Sequence, residues 1–403
     1  MLLTFTLQKL TFIPIIFLSI GYYLLIDFPK FLILVVIAMT FALFAVSPNR
    51  LILRLSSLWY LYILVFLVLI GAISLLDSQY FSTASFVLGV QYFLFSIFFI
   101  LVYSSVAIDL EYSAKLFQKV IVWSFVVFIL DTIVKYLNSD VFIFDGILPR
   151  FSPSLGASAG SIYLLSILIP LLNLPAVYGK KFHMVLNALV ISLILLTLTR
   201  ISLLALMLIF FYKTLGVLGD RSKRVAKKTA LIVFSISMAV VGFWLILNRL
   251  YFEGAEASIE AINTNGRLFI WENFIREGFS KPLIGHGWGA SSVFIMDSDL
   301  NIGFGIQPHN DYLRILFETG FVGFFLFLVS LLMLWRMINN SYAIHRNKSF
   351  RATSHMYLIV FGVLMLTDNV ILYHFYTYTA LSFICMSICA TTDLKRNDLR
   401  TIP

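Results

Sequence analysis

Apolar runs of roughly 20 residues recur along almost the whole chain, with charged side chains confined to the gaps between them. A helix needs about that length to cross the hydrocarbon core of a bilayer, and in lipid every backbone polar group must be satisfied within the structure. The chain of 403 residues could otherwise hold two or three soluble domains, but 60% hydrophobic and 12% charged residues exclude that. The expected fold class is all-α: one polytopic membrane helical bundle of about 12 transmembrane helices, forming a single domain over residues 1–403. The spans are expected near 11–26, 31–47, 57–76, 85–108, 117–137, 158–178, 183–199, 201–218, 229–250, 315–338, 355–373 and 376–392. The pair around Thr199 and Arg200 also reads as one broken helix, and only the neighbourhood of His374 separates the last two.

The first apolar run lacks a small-residue cleavage site and is followed by further spans, so it reads as a retained span rather than a signal peptide. The net charge of +9 comes from basic residues scattered through short loops, the pattern of topology determinants and not of a nucleic-acid surface. Assigning the 29 Lys and Arg to sides leaves 20 on one side and 9 on the other. The rich side is expected to be cytoplasmic, with both termini inside. Cys385 and Cys389, one helical turn apart in the last run, read as reduced packing residues without metal-ligand company.

Two outer loops remain. Residues 139–158 are rich in Ser, Gly and Pro and are expected to be irregular. Residues 251–308 form the largest segment outside the spans, where function is sought first. Within it, YFEGAEASIEAIN and GRLFIWENFIREGF have amphipathic helical spacing and are expected to lie on the outer membrane face, with Trp271 at headgroup level. KPLIGHGWGASS reads as a Gly-rich turn, and Pro308 announces a helix entry. No Walker motif, dinucleotide fingerprint or HExxH pair occurs.

A few polar residues stand where chemistry is possible. Arg200 interrupts the apolar LLTLTRISLLAL; an unpaired guanidinium at hydrocarbon depth costs about 2.5 to 3.5 kcal/mol on insertion scales. It either pairs with an anion such as phosphate or snorkels toward headgroups. Arg267, after Gly266 at a helix start, is either part of a phosphate site or a solvated first-turn cation. Arg276 is a weaker candidate of the same kind, as are Arg249 and Arg150. His309 carries the side chain best suited to take a proton from a sugar hydroxyl near neutral pH, although a His at a helix start also serves as a cap. His286, flanked by glycines, reads first as a turn residue. Asp311, Glu318 and Asp368 are nearby carboxylates, any of which can orient an imidazole. No compact carboxylate set at defined spacing demands a divalent metal, so no metal and no cofactor is expected.

HNDYLRILFETGFVG contains His309, Asn310, nine residues, Gly320, two residues and Gly323. This pattern resembles that of the O-antigen ligase and Wzy-type O-antigen polymerase superfamily, bacterial integral membrane glycosyltransferases. GRLFIWENFIREGFSKPLIGHGWG and TLTRISLLAL are similar to further stretches of that family, so the resemblance covers about residues 190–340. It implies a membrane enzyme acting on an undecaprenyl-pyrophosphate-linked oligosaccharide at the outer face of the inner membrane, and the lack of a compact carboxylate set makes metal-independent chemistry the expectation. Carried over residue by residue, it implies that Arg200 and Arg267 hold the donor pyrophosphate and that His309 is the catalytic group. Asn310, Arg276, His286 and Asp311 are possible supporting residues.

The function expected is a polysaccharide polymerase that transfers glycan to a hydroxyl of another lipid-linked unit. An O-antigen ligase transferring to lipid A core is the alternative, and a flippase for lipid-linked glycans a third reading from another class. The expected partners are the lipid-linked donor, an acceptor glycan, membrane lipids and other assembly proteins such as a flippase and a chain-length regulator, without nucleic acid. Arg314 and Glu318 read as a structural i,i+4 pair, and Gly320 and Gly323 as small residues that permit close helix packing.

Overall fold

The computed structural model describes residues 55–76, 78–80, 110–138, 142–144, 149–153, 155–218, 267–297, 308–341 and 348–389, with scattered positions between 96 and 101 and between 225 and 240. The expected spans near 11–26, 31–47, 85–108 and 229–250, the stretch 251–266 and Arg249 lie outside the described residues, those scattered positions excepted.

Helices stand where the other spans are expected. They are α1 (Leu55–Leu76), α2 (Leu110–Asn138), α3 (Ala157–Asn173), α4 (Lys180–Leu196) and α5 (Arg200–Leu218). After the large loop come α6 (Arg267–Gly278), α7 (Ala290–Asp297), α8 (Asp311–Asn340), α9 (Lys348–Leu364) and α10 (His374–Cys389), the last preceded by a 3-10 turn at Val370–Leu372. Among the described residues, Ser57–Leu76, Glu111–Leu137 and Asp311–Asn340 are long and apolar enough to cross a membrane, while Ala157–Asn173 and Phe375–Ile388 are shorter apolar helices. Their outward faces carry Trp59, Phe66, Trp123, Leu130, Phe325 and Leu332, apolar side chains that a bilayer accepts and water does not.

The all-α expectation needs one correction. Residues 139–158 contain an antiparallel pair of short strands, β1 (Phe142–Phe144) and β2 (Pro149–Phe151), with Phe142 opposite Phe151. FIF has the aromatic and β-branched composition of a strand, and Pro149 begins β2, where a missing N–H is tolerated. The Lys135 ammonium at the end of α2 ties the hairpin down by donating to the carbonyls of Ser152 (2.8 Å) and Pro153 (3.0 Å).

α3 is the centre of the bundle. From Ala157 to Leu171 every residue except Ser158 is buried, as expected of a helix that is apolar all round. α2, α4, α5, α9 and α10 pack around it. α4 and α5 are two helices rather than one broken one: Leu198 takes a left-handed backbone (φ 51°) between them, and α5 starts at Arg200. Cys385 is buried within α10 and forms no disulfide among the described residues.

α8 is broken at Gly320 (φ 63°, ψ −170°), and residues 281–289 of the expected KPLIGHGWGASS turn fill the break, whereas Ala290, Ser291 and Ser292 already belong to α7. The carbonyls of Phe317 and Glu318 accept from the N–H groups of His286 (3.0 Å) and Gly287 (2.8 Å). In return the N–H groups of Phe321 and Val322 donate to Pro282 (2.8 Å) and Leu283 (3.1 Å). Backbone groups freed by the kink are thus satisfied by the turn, as buried backbone requires. The fit leaves no space: a Cβ on Gly320 would lie 2.4 Å from the Leu283 carbonyl, and one on Gly285 would lie 2.5 Å from the Gly320 nitrogen. This corrects the expectation for Gly320, whose close neighbour is a loop backbone and not another helix. Gly323 does face α1, its added Cβ falling 3.3 Å from Leu67.

Candidate active site

The starts of α3, α6 and α8 are tied to a hub, the connection 365–373 between α9 and α10, and the start of α5 is tied to that of α3. The sequence places this stretch inside an apolar span, yet α9 ends at Leu364 and the next residues turn. Each of the first turn's backbone or side-chain groups holds a different element. The Met365 carbonyl accepts from the Asp311 N–H at the start of α8 (3.0 Å). The Thr367 carbonyl accepts from Arg267 Nη1 at the start of α6 (2.7 Å). The Asp368 carboxylate is buried and faces His309, Nδ1 to Oδ1 3.7 Å, with the imidazole a quarter exposed.

His309 owes its position to strain and capping. It has a left-handed backbone (φ 51°), which a side chain rarely adopts without support from its surroundings. The next residue, Asn310, is extended and caps α8, its Oδ1 accepting from the Leu313 N–H at 3.0 Å. Asn310 therefore sets where the helix begins, and with it where the imidazole stands. On the other side the Pro308 carbonyl accepts from the indole N–H of Trp271 (2.8 Å), so that α6 clamps the chain just before His309.

Asp368 is held by donors on both oxygens. Oδ1 accepts from the Asn369 N–H (2.9 Å) and the Tyr373 hydroxyl (2.9 Å), and Oδ2 accepts from the Ser158 hydroxyl at the start of α3. Burial by itself would push this carboxyl up, but the hydrogen bonds from His309, Ser158 and Asn369 outweigh it and hold Asp368 below its ordinary value. An ionised carboxylate beside an imidazole orients the ring and stabilises its protonated form.

Arg200 reaches the same region through α3. It is half-buried at the first position of α5, and the hydroxyl of Thr199 before it donates to the Ala157 carbonyl (3.3 Å). A buried hydroxyl pair, Ser161 and Ser202 at 2.6 Å, fastens the first turns of α3 and α5 together. A hydrogen-bonded path thus runs from Thr199, beside Arg200, through Ala157 and Ser158 to Asp368, which faces His309 at 3.7 Å.

Of the remaining candidates, Asp311 is fully buried, accepts from the Ile371 N–H (2.8 Å) and stands 3.7 Å from Arg314. Arg314 also reaches Glu318 (Nε to Oε1 3.3 Å), matching the expected structural pair, and Glu318 accepts from Ser291 (2.5 Å). The structure does not bring Arg276 or His286 to the hub. Arg276 makes an exposed i,i+4 pair with Glu272 (3.0 Å). His286 is buried against Phe317, ring centroids 4.6 Å apart, and its Nε2 lies 3.2 Å from the Glu277 carbonyl oxygen. Burial lowers its pKa below the ordinary imidazole value.

Residues 185–328 match the family model described as O-Antigen ligase. The expected resemblance is shown over that segment, which contains Arg200, Arg267 and His309 and stops before Asp368. A protein of Rickettsia felis named "Putative polysaccharide ligase" is 28% identical over 113 residues, covering 26% of this chain and 27% of that protein. A second so described, from Rickettsia conorii, is 31% identical over 114 residues, 26% of each chain. The alignments thus span about a quarter of these relatives' length.

Asp368 was legible as one of three carboxylates, but nothing in the sequence chose it over Asp311 and Glu318. Ser158, Asn369 and Tyr373 carry no local pattern that marks them. The available signal was the polar pair in LTDNVIL, a break in an otherwise apolar run.

Proposed function

We propose that this chain is a membrane glycosyltransferase that moves a glycan from a polyprenyl-pyrophosphate carrier to a hydroxyl of a second glycan at the outer face of the inner membrane. The observation that supports it best is the hub itself: the 365–369 turn is hydrogen-bonded to Arg267 and faces His309, and it is tied to the helix start beside Arg200.

His309 accepts the proton of the acceptor hydroxyl as its oxygen attacks the anomeric carbon, and Asp368 stabilises the imidazolium that forms. The bond between that carbon and the phosphate oxygen breaks, and the polyprenyl pyrophosphate leaves with the electron pair. Arg200 and Arg267 face the growing charge; a guanidinium has five donors, and Arg267 spends one on Thr367, leaving a fork for phosphate oxygens. Positioning and charge stabilisation suffice because pyrophosphate is already a good leaving group.

Two acceptors fit this chemistry. The HNDYLRILFETG pattern favours a polymerase, with another lipid-linked unit as acceptor, whereas the descriptions of the matching family and relatives favour a ligase, with lipid A core as acceptor. The surface glycan of a deletion strain separates them. A core carrying a single repeat unit marks a lost polymerase, and polymer stranded on its carrier marks a lost ligase. In that strain His309→Ala is expected to restore no product although the protein reaches the membrane; product at the wild-type level would sink the assignment. Arg267→Lys keeps the charge but loses the fork, and a fall of about tenfold or more in transfer is expected in an assay with purified lipid-linked donor.

A further inference from the structure

Two neighbours compete for one nitrogen of His309. Nδ1 lies 3.7 Å from Asp368 Oδ1 and 3.4 Å from Asn369 Nδ2. A carboxylate is served only by an Nδ1 that carries a proton, while an amide N–H is served only by an Nδ1 that does not. Both contacts cannot be hydrogen bonds in the same protonation state.

Asn369 itself shows which one yields. It is 4% exposed, and its Oδ1 is buried without a hydrogen-bond partner among the described residues, an arrangement costing about 1–3 kcal/mol. The two ends of an amide have nearly the same shape, so a half-turn of the side chain needs no extra room. After that half-turn Oδ1 stands beside Nδ1, where it accepts the proton that Asp368 also attracts. The amide nitrogen gives up its 3.4 Å contact with Nδ1, the oxygen gains a charge-sharing donor in its place, and the proton is drawn from both sides.

We propose that Asn369 is a positioning residue that fixes the tautomer of His309: its amide oxygen and Asp368 together hold the proton on Nδ1, which leaves Nε2 as the nitrogen that receives the acceptor's proton. The inference rests on the catalytic reading of His309. Asn369 lies beyond the segment that matches the family, and its role follows from the contacts of this chain alone.

The test uses the full chain, labelled with 15N-histidine and purified in detergent, with the His309 signals identified by their loss in His309→Gln. The wild-type protein is expected to carry its proton on Nδ1. Asn369→Leu is expected to give a mixture of tautomers and about a tenfold fall in kcat, with KM for lipid-linked donor held within about twofold. Asn369→Asp keeps an oxygen at the same place and is expected to retain the Nδ1 proton and most of kcat. The remaining histidine signals report whether each variant is folded, and if Asn369→Leu is not, Asn369→Asp carries the test. A wild-type proton on Nε2 overturns the proposal, as does an Asn369→Asp variant as impaired as a folded Asn369→Leu. If His309→Gln keeps full kcat, the catalytic reading fails instead, whichever nitrogen bears the proton.

Discussion

At the scale of single residues, the candidate site depends on a buried carboxylate that stays ionised. The pKa of Asp368 is depressed below its ordinary value of 3.8, so its contribution to stability is complete above that value and is lost as the pH falls through the lower, folded-state value. Asp368→Asn is therefore expected to melt below the wild type at neutral pH, and the gap should close only in strongly acidic buffer. Melting in detergent across pH, with both proteins side by side, checks this; a gap that closes at or above 3.8 would show that the carboxyl is not depressed. The carboxylate also shows where reading the sequence stops. His309 and Arg267 are visible because each sits in a local pattern, one before a helix and one after a glycine. The hydroxyl that locks Asp368 belongs to Ser158, 210 residues away, and no local pattern joins the two.

Among the elements, α8 and the 281–289 turn behave as one piece, because each completes the other's backbone hydrogen bonds. Gly320→Ala adds a Cβ 2.4 Å from the Leu283 carbonyl at a left-handed φ of 63°, and is expected to destabilise the protein by at least about 1–3 kcal/mol. The melting temperature of the purified variant measures this, and a value equal to the wild type would contradict the break in α8. The sequence announced both partners, a Gly-rich turn and a glycine in the first turns of a span, but not their union. Small residues in a span read as a helix-packing face, since pattern alone does not distinguish a helix neighbour from a loop neighbour. Hydropathy overruns the end of α9 for a related reason: VIL and FYTYTA continue the apolar run beyond Asp368, where the backbone turns.

For the whole molecule, the helical membrane class follows directly from hydropathy, and the described helices agree with it. The proposed orientation puts α6 outside and the start of α9 inside. In a cysteine-less background, Glu272→Cys is expected to react with an impermeant maleimide on intact spheroplasts, and Lys348→Cys only after permeabilisation. The reverse pattern would invert the assigned sides. The break in α8 also bears on how the protein meets membranes of differing thickness. A span answers hydrophobic mismatch by tilting, and an unbroken helix would carry that tilt to its tip. Here the 281–289 turn grips α8 on both sides of Gly320, through Phe317 and Glu318 before it and Phe321 and Val322 after it, and Asp311 ties the helix start to the 365–373 connection. A tilt of the span beyond Val322 therefore works against this clamp before it reaches the segment that bears His309.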